Sequence, residues 1–161
     1  MTGTLNKANS NSTTFTDGNC DLQIGKVHSF VLLSNLEEVE FGNMSRADLL
    51  LVNRVSNKKI NVLIFELKGV GKELPLKEIN HLTDRIITKF NGTRKLLVES
   101  GKLITAIQGS KNLSYFYFLV ITPEFKSQFT KIEGRLRERI GKSVHFEILD
   151  NSQVFYPNNY Q

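Results

Sequence analysis

The sequence predicts an α/β fold, a mixed central β-sheet flanked by helices. Two apolar runs, residues 47–53 (ADLLLVN) and 60–69 (INVLIFELKG), flank a short polar loop, the pattern of an antiparallel hairpin. Residues 75–90 repeat apolar side chains at helical spacing. Residues 115–122 (YFYFLVIT) are apolar on both faces, as a strand in mid-sheet requires.

The chain has 161 residues, a hydrophobic fraction of 40% and a charged fraction of 23%, which fits one ordinary globular domain with a sizeable core. Residues 1–19 begin with a stretch rich in Ser, Thr and Asn and read as a flexible polar tail. Residues 20–161 read as the single domain. No apolar run approaches the roughly 18 residues that cross a bilayer, and the start lacks the apolar core of a signal peptide. The expectation is a cytoplasmic protein with no membrane partner. Cys20 is the one cysteine, so it forms no intrachain disulfide. Asp17, Asp21 and His28 lie nearby in sequence, but a half-buried thiol is the expected state of Cys20.

Residues 27–33 form a short apolar run that suits strand or helix. Ser34 to Glu37 resembles a capping box, Val39-Glu40-Phe41 suits a strand start, and Gly42-Asn43 marks a turn. The expected helix over 75–90 opens with Pro75 in its first turn. It presents Leu76, Ile79, Leu82, Ile86 and Phe90 on one face, and Asn91-Gly92 is expected to end it. A less regular helical stretch is expected over 94–107. After Pro123, a second long helix over 125–140 is marked by Phe125, Phe129, Ile132, Leu136 and Ile140, with Gly134 as a mild interruption. Residues 144–149 (VHFEIL) close as a strand.

The hairpin carries the chemistry. With Asn57 at its centre, Leu50 opposes Ile64 and Val52 opposes Val62 on one face. Leu49 meets Phe65, Leu51 meets Leu63 and Asn53 meets Asn61 on the other. This register sets Asp48 opposite Glu66, and a slip by one residue would turn Asp48 to the other face. Two carboxylates side by side repel each other, and a divalent cation with hard oxygen ligands, Mg²⁺ or Mn²⁺, resolves that repulsion. Lys68, two residues beyond Glu66, projects from the same face. A metal, two acids and a lysine together suit phosphodiester cleavage.

Ala47-Asp48 followed by Phe65-Glu66-Leu67-Lys68 resembles the motif of the PD-(D/E)XK nuclease superfamily: an acid at a strand start, then acid-any-lysine on the next strand. Ala47 stands where that motif has proline. The resemblance covers about residues 36–122 and implies a restriction-endonuclease-like core with Asp48, Glu66 and Lys68 as catalytic residues and the two acids as metal ligands. Within the superfamily, residues 42–68 are similar to the Shedu antiphage-defence nuclease domain; junction resolvases and restriction enzymes share the core. The family often adds an upstream Glu. Glu38 is preferred on a helical reading of 34–38, Glu40 if 36–41 is a strand, and Glu37 is the third candidate.

A net charge of +5 and a pI near 9.4 agree with a polyanionic partner without establishing one. His81, Arg85 and Lys89 follow an i, i+4, i+8 rhythm that suits phosphate contacts. Arg135, Arg137 and Arg139 form a denser patch, with Glu133 and Glu138 interspersed. Tyr115 to Phe118 suit core strand better than a base-stacking platform. The expected function is a Mg²⁺- or Mn²⁺-dependent endonuclease acting on DNA, in defence, recombination or mobile-element processing, with a homodimer or higher homo-oligomer as the candidate assembly. The alternative is a catalytically weak module of the same fold that binds nucleic acid or a partner.

Overall fold

The computed structural model describes residues 12–25, 30–32, 45–69, 73–99, 112–130 and 133–160. Strands β1 (Ser12–Asp17) and β2 (Cys20–Gly25) pair antiparallel as a two-stranded sheet. A five-stranded mixed sheet follows the chain order β3 (Phe30–Leu32), β4 (Leu49–Arg54), β5 (Lys59–Lys68), β6 (Asn112–Ile121) and β7 (His145–Asp150). β3, β4 and β5 are antiparallel neighbours, whereas β5, β6 and β7 run parallel. Helix α1 (Leu76–Glu99) connects β5 towards β6. Helices α2 (Pro123–Phe129) and α3 (Glu133–Ile140) connect β6 to β7. Among the described residues no helix is long and apolar enough to cross a membrane.

The β4–β5 register matches the expected one residue for residue, from Leu49 opposite Phe65 to Arg54 opposite Ile60. Period-two alternation sends Leu50, Val62 and Ile64 to one face of the sheet, where they pack with Ile79, Ile86 and Phe90 of α1 and with Phe125, Phe129 and Leu136. Leu49, Leu51, Leu63 and Phe65 go to the other face, where Phe15, Leu22 and Ile24 of the β1–β2 hairpin cover them, joined by Phe155. A strand buried on both faces has to be apolar at every position, and β5 is buried from Ile60 to Leu67.

Four expectations need correction. Residues 12–19 are not tail: they form β1 and the turn of a hairpin whose Phe15 is buried. Gly18 adopts φ 58° in the two-residue turn between Asp17 and Cys20, a conformation that glycine tolerates without steric cost. Cys20 is fully rather than half buried, and its thiol reaches the Val120 carbonyl. Helix α1 runs through Asn91-Gly92 to Glu99. Phe90 stacks on Tyr117 at 4.6 Å, the Thr93 hydroxyl bonds both Ala47 and Lys89, and Arg94 lies 4.5 Å over the Tyr115 ring. These contacts offset the cost of one interior glycine, about 1 kcal/mol. Finally, the second long helix is two short ones, with Gly134 inside α3 rather than between them. The Thr130 hydroxyl donates to the Ser127 carbonyl and its N–H to the Lys126 carbonyl, closing α2. Residues 1–11 and 33–44, including Glu37, Glu38 and Glu40, lie outside the described residues, as do 100–111.

Phe90 is fully buried between the sheet and α1, whereas Leu76 at the start of the helix is 64% exposed. Phe90→Ala should cost about 3–5 kcal/mol, and Leu76→Ala less than about 0.5 kcal/mol. Urea unfolding of both variants checks this; similar midpoints would contradict the placement of α1 on the sheet.

Candidate active site

Asp48 lies one residue before β4, where the regular ladder stops. Its N–H still reaches the Phe65 carbonyl at 3.0 Å. Its carboxylate accepts the Leu67 N–H at 2.8 Å, taking the place of a main-chain acceptor. Asp48 thus holds both chain neighbours of Glu66. The segment is anchored from the helical side as well: the Ala47 N–H donates to the Thr93 hydroxyl, which donates to the Lys89 carbonyl, each at 2.8 Å.

Glu66 shares the parity of Val62 and Ile64 and faces the helical layer, with no solvent exposure. Lys68 Nζ stands 3.0 Å from its Oε1, and Lys89 Nζ, arriving from α1, 2.6 Å from the same oxygen. Glu66 Oε2 is buried with no hydrogen-bond partner among the described residues. Lys68 and Lys89 therefore meet Glu66 on the helical side of the sheet. Asp48 lies beside them at the sheet end, bonded to both chain neighbours of Glu66 and within electrostatic reach of it. The ladder stops at Leu49 opposite Phe65, short of the expected pair of Asp48 with Glu66.

Electrostatics follow from burial. Loss of water pushes Asp48 up to about 7, reinforced by the Glu66 carboxylate and, more weakly, Asp17. The Leu67 N–H and the Lys89 ammonium act in the opposite direction. Burial disfavours the charge on Lys89, but Glu66 outweighs it and holds the ammonium above the ordinary lysine range. Burial likewise pushes the Cys20 thiol up to about 11, so it is not a ready thiolate.

The basic residues divide. Lys77, His81, Arg85, Lys89 and Thr93 form one i, i+4 series along α1. Each step of four advances about 40° beyond a full turn. The series therefore winds from the exposed Lys77, His81 and Arg85, through the half-buried Lys89, to the buried Thr93. Lys77, His81 and Arg85 line a cleft of about 680 Å³ beside Lys68. The arginines of α3 are engaged within the chain. Arg135 bonds Asn80, and Arg137 bonds Glu133 and the Phe146 carbonyl, each at 2.6 Å. Arg139 pairs with Asp84.

Two residues near the site escaped sequence reasoning. The role of Lys89 at Glu66 was hidden because its rhythm was assigned to phosphate contacts. Asp17 comes within electrostatic reach of Asp48 through the hairpin, for which Asp17-Gly18-Asn19 between alternating Thr-Phe-Thr and Asp-Leu-Gln-Ile was the available signal. Among the described residues no group of three or more His, Cys, Asp or Glu side chains forms a metal cage. Comparison with protein-family models, curated proteins and solved structures finds no match to this chain.

The raised Asp48 sets a pH dependence in chelator. Its folded-state value of about 7 exceeds the ordinary 3.8, so the folded state favours the protonated acid. That contribution to stability is full below about pH 4 and is lost as pH rises through about 7. Asp48→Asn keeps an acceptor for the Leu67 N–H and removes the titration. The variant should be the more stable protein at about pH 8 and lose less of its urea midpoint between about pH 4 and 8. Parallel profiles would refute the raised value.

Proposed function

We propose that this protein is a metal-dependent nuclease that hydrolyses phosphodiester bonds in DNA, with a restriction-endonuclease-like core. The observation that carries this reading is Asp48 at one sheet end, bonded to both chain neighbours of Glu66, with one Glu66 oxygen on two lysines and the other, among the described residues, unpartnered. Mg²⁺ is commonly held by one or two carboxylates together with substrate phosphate oxygens. Asp48, Glu66 and a bound phosphate meet that description, and Mn²⁺ accepts the same oxygen donors. The buried Glu66 Oε2 and an Asp48 disfavoured as an anion by its surroundings are donors that a cation would satisfy. When bound, such a cation polarises the phosphate and makes water more acidic.

The chain's own residues supply the rest. Asp48 and Glu66 hold and orient the acidic centre, with Asp48 tied to Leu67 and Ala47 tied to Thr93. Lys68 and Lys89 place two ammonium groups beside it, suited to the negative charge that builds on a phosphoryl group during attack. Water activation falls to whichever carboxylate oxygen faces the substrate. On duplex DNA, two copies about a two-fold axis would present one centre to each antiparallel strand. Defence, recombination and mobile-element processing are the settings such an enzyme would suit.

A second reading draws on Lys89. An ammonium 2.6 Å from Glu66 Oε1 neutralises the buried acid without any metal, as a catalytically weak binding module would require.

Plasmid and linear DNA incubated with Mn²⁺, Mg²⁺ or chelator separates the two. Cutting should require the metal. Asp48→Ala and Glu66→Ala should each abolish it, and the double variant should be little worse than either, since the two act as a unit. Lys68→Ala should keep metal binding but slow cutting about 10²- to 10³-fold. Cleavage retained in either acid variant would rule out this centre, and DNA binding by the unaltered protein without cutting would establish the binding module.

A further inference from the structure

The cleft beside the acidic centre has its own chemistry. Its cationic and protonatable groups are Lys68, Lys77, His81 and Arg85, and Leu74 and Leu82 contribute apolar surface. Among the described residues Glu78 is the one acid that lines it. Lys77, His81 and Arg85 are exposed, and among the described residues they carry no ion pair or hydrogen bond. The arginines of α3, equally basic on paper, are held by Asn80, Glu133 and Asp84. Among the described residues, then, Lys77, His81 and Arg85 of the cleft have no protein partner, and α3 offers arginines already committed.

Three geometric facts define the ligand. The side chains of Lys77, His81 and Arg85 follow one another every four residues, about 6 Å along the helix axis at about 1.5 Å per residue, a spacing on the scale of one backbone step of a nucleic-acid strand. The volume of about 680 Å³ lies within the range of about 300–1,000 Å³ typical of small-molecule sites. That admits a nucleotide unit, not the breadth of a duplex. Lys68 belongs to both places, lining the cleft and pairing with Glu66, so a strand leaving the cleft arrives at the acidic centre.

We infer that the cleft is a strand-binding subsite. Lys77 and Arg85 take phosphates about two backbone steps apart on a single strand, His81 hydrogen-bonds the one between them, and Leu74 and Leu82 receive a sugar or base. This deepens the nuclease reading and rests on it. It assigns recognition to the first half of α1 rather than to the arginines of α3, and it implies a substrate whose strand is locally unpaired at the site of attack.

The test separates binding from cutting. Affinity for a short fluorescein-labelled oligothymidylate is measured by anisotropy in EDTA, over a range of salt. The triple variant Lys77→Ala, His81→Ala, Arg85→Ala should bind at least about tenfold more weakly at low salt. Its slope of log affinity against log salt should fall by about 1.4, or 0.7 for each of two lost single-strand contacts. Arg85→Lys should keep most of the affinity, and Arg135→Ala and Arg139→Ala should bind like the unaltered protein. All of these replacements are on exposed side chains, and unchanged urea midpoints would verify folding. Unchanged affinity and slope in the triple variant would overturn the inference, as would competition by thymidine monophosphate equal to that of the oligomer. Cutting with Mn²⁺ is read separately. A protein that binds through the cleft but never cuts retains this subsite and loses the nuclease reading. A protein that cuts, with a triple variant that binds normally, loses the subsite alone.

Discussion

A carboxylate deep in a sheet must be met by opposite charge, and in this chain the carboxylate is Glu66. Removing an ion from water costs several kcal/mol even after the surroundings relax. Lys68 and Lys89 offset that cost from two directions, the strand and the helix. The demand extends outward. For Lys89 to reach Glu66, α1 must remain helical past it and lie close against β5. Phe90 stacked on Tyr117 and Thr93 bonded to Ala47 secure both conditions. The same Thr93 bond positions the residue before Asp48, so the ion pair and the acidic pair depend on one docking of helix against sheet.

The sheet's two faces divide the work. Helices cover the face that carries Glu66, and the β1–β2 hairpin covers the other. The hairpin turn also reaches the end of β5, where a Cβ at Gly69 would fall 1.8 Å from the Asn19 side chain and 2.9 Å from the Cys20 nitrogen. Glu66 and Lys68 stand at the carboxyl end of β5, beside the parallel β6, which is where open α/β sheets place their ligand crevices. The cleft along α1 opens at that end.

Much of this was legible in the sequence because strands have a short, rigid period. Apolar residues matched in pairs about Asn57 determined the β4–β5 register, and with it the face of β5 from which Glu66 and Lys68 emerge. The polar N-terminal hairpin was harder to see: its exposed positions are Thr, Asp and Gln, and Phe15, Cys20, Leu22 and Ile24 mark its buried side. Helix ends were harder still. Asn91-Gly92 is a sound local stop signal, yet contacts with residues distant in sequence carried α1 beyond it.

By itself, the sequence determined the strands β4 to β7, the start of α1, how β4 and β5 align from Leu49 to Arg54, and that Glu66 and Lys68 share one face of β5. Alternation and helical spacing are local properties, and any fold that buries these apolar residues must respect them. Only the tertiary structure decided which cations are free. Lys89 turns inward to Glu66, Arg139 pairs with Asp84 and Arg135 with Asn80, whereas Lys77, His81 and Arg85 face an open cleft. Those assignments join positions 23 to 55 residues apart. They follow from how α1 and α3 pack, because the partner of a charged side chain is set by proximity in space and its spacing along the chain carries no record of it.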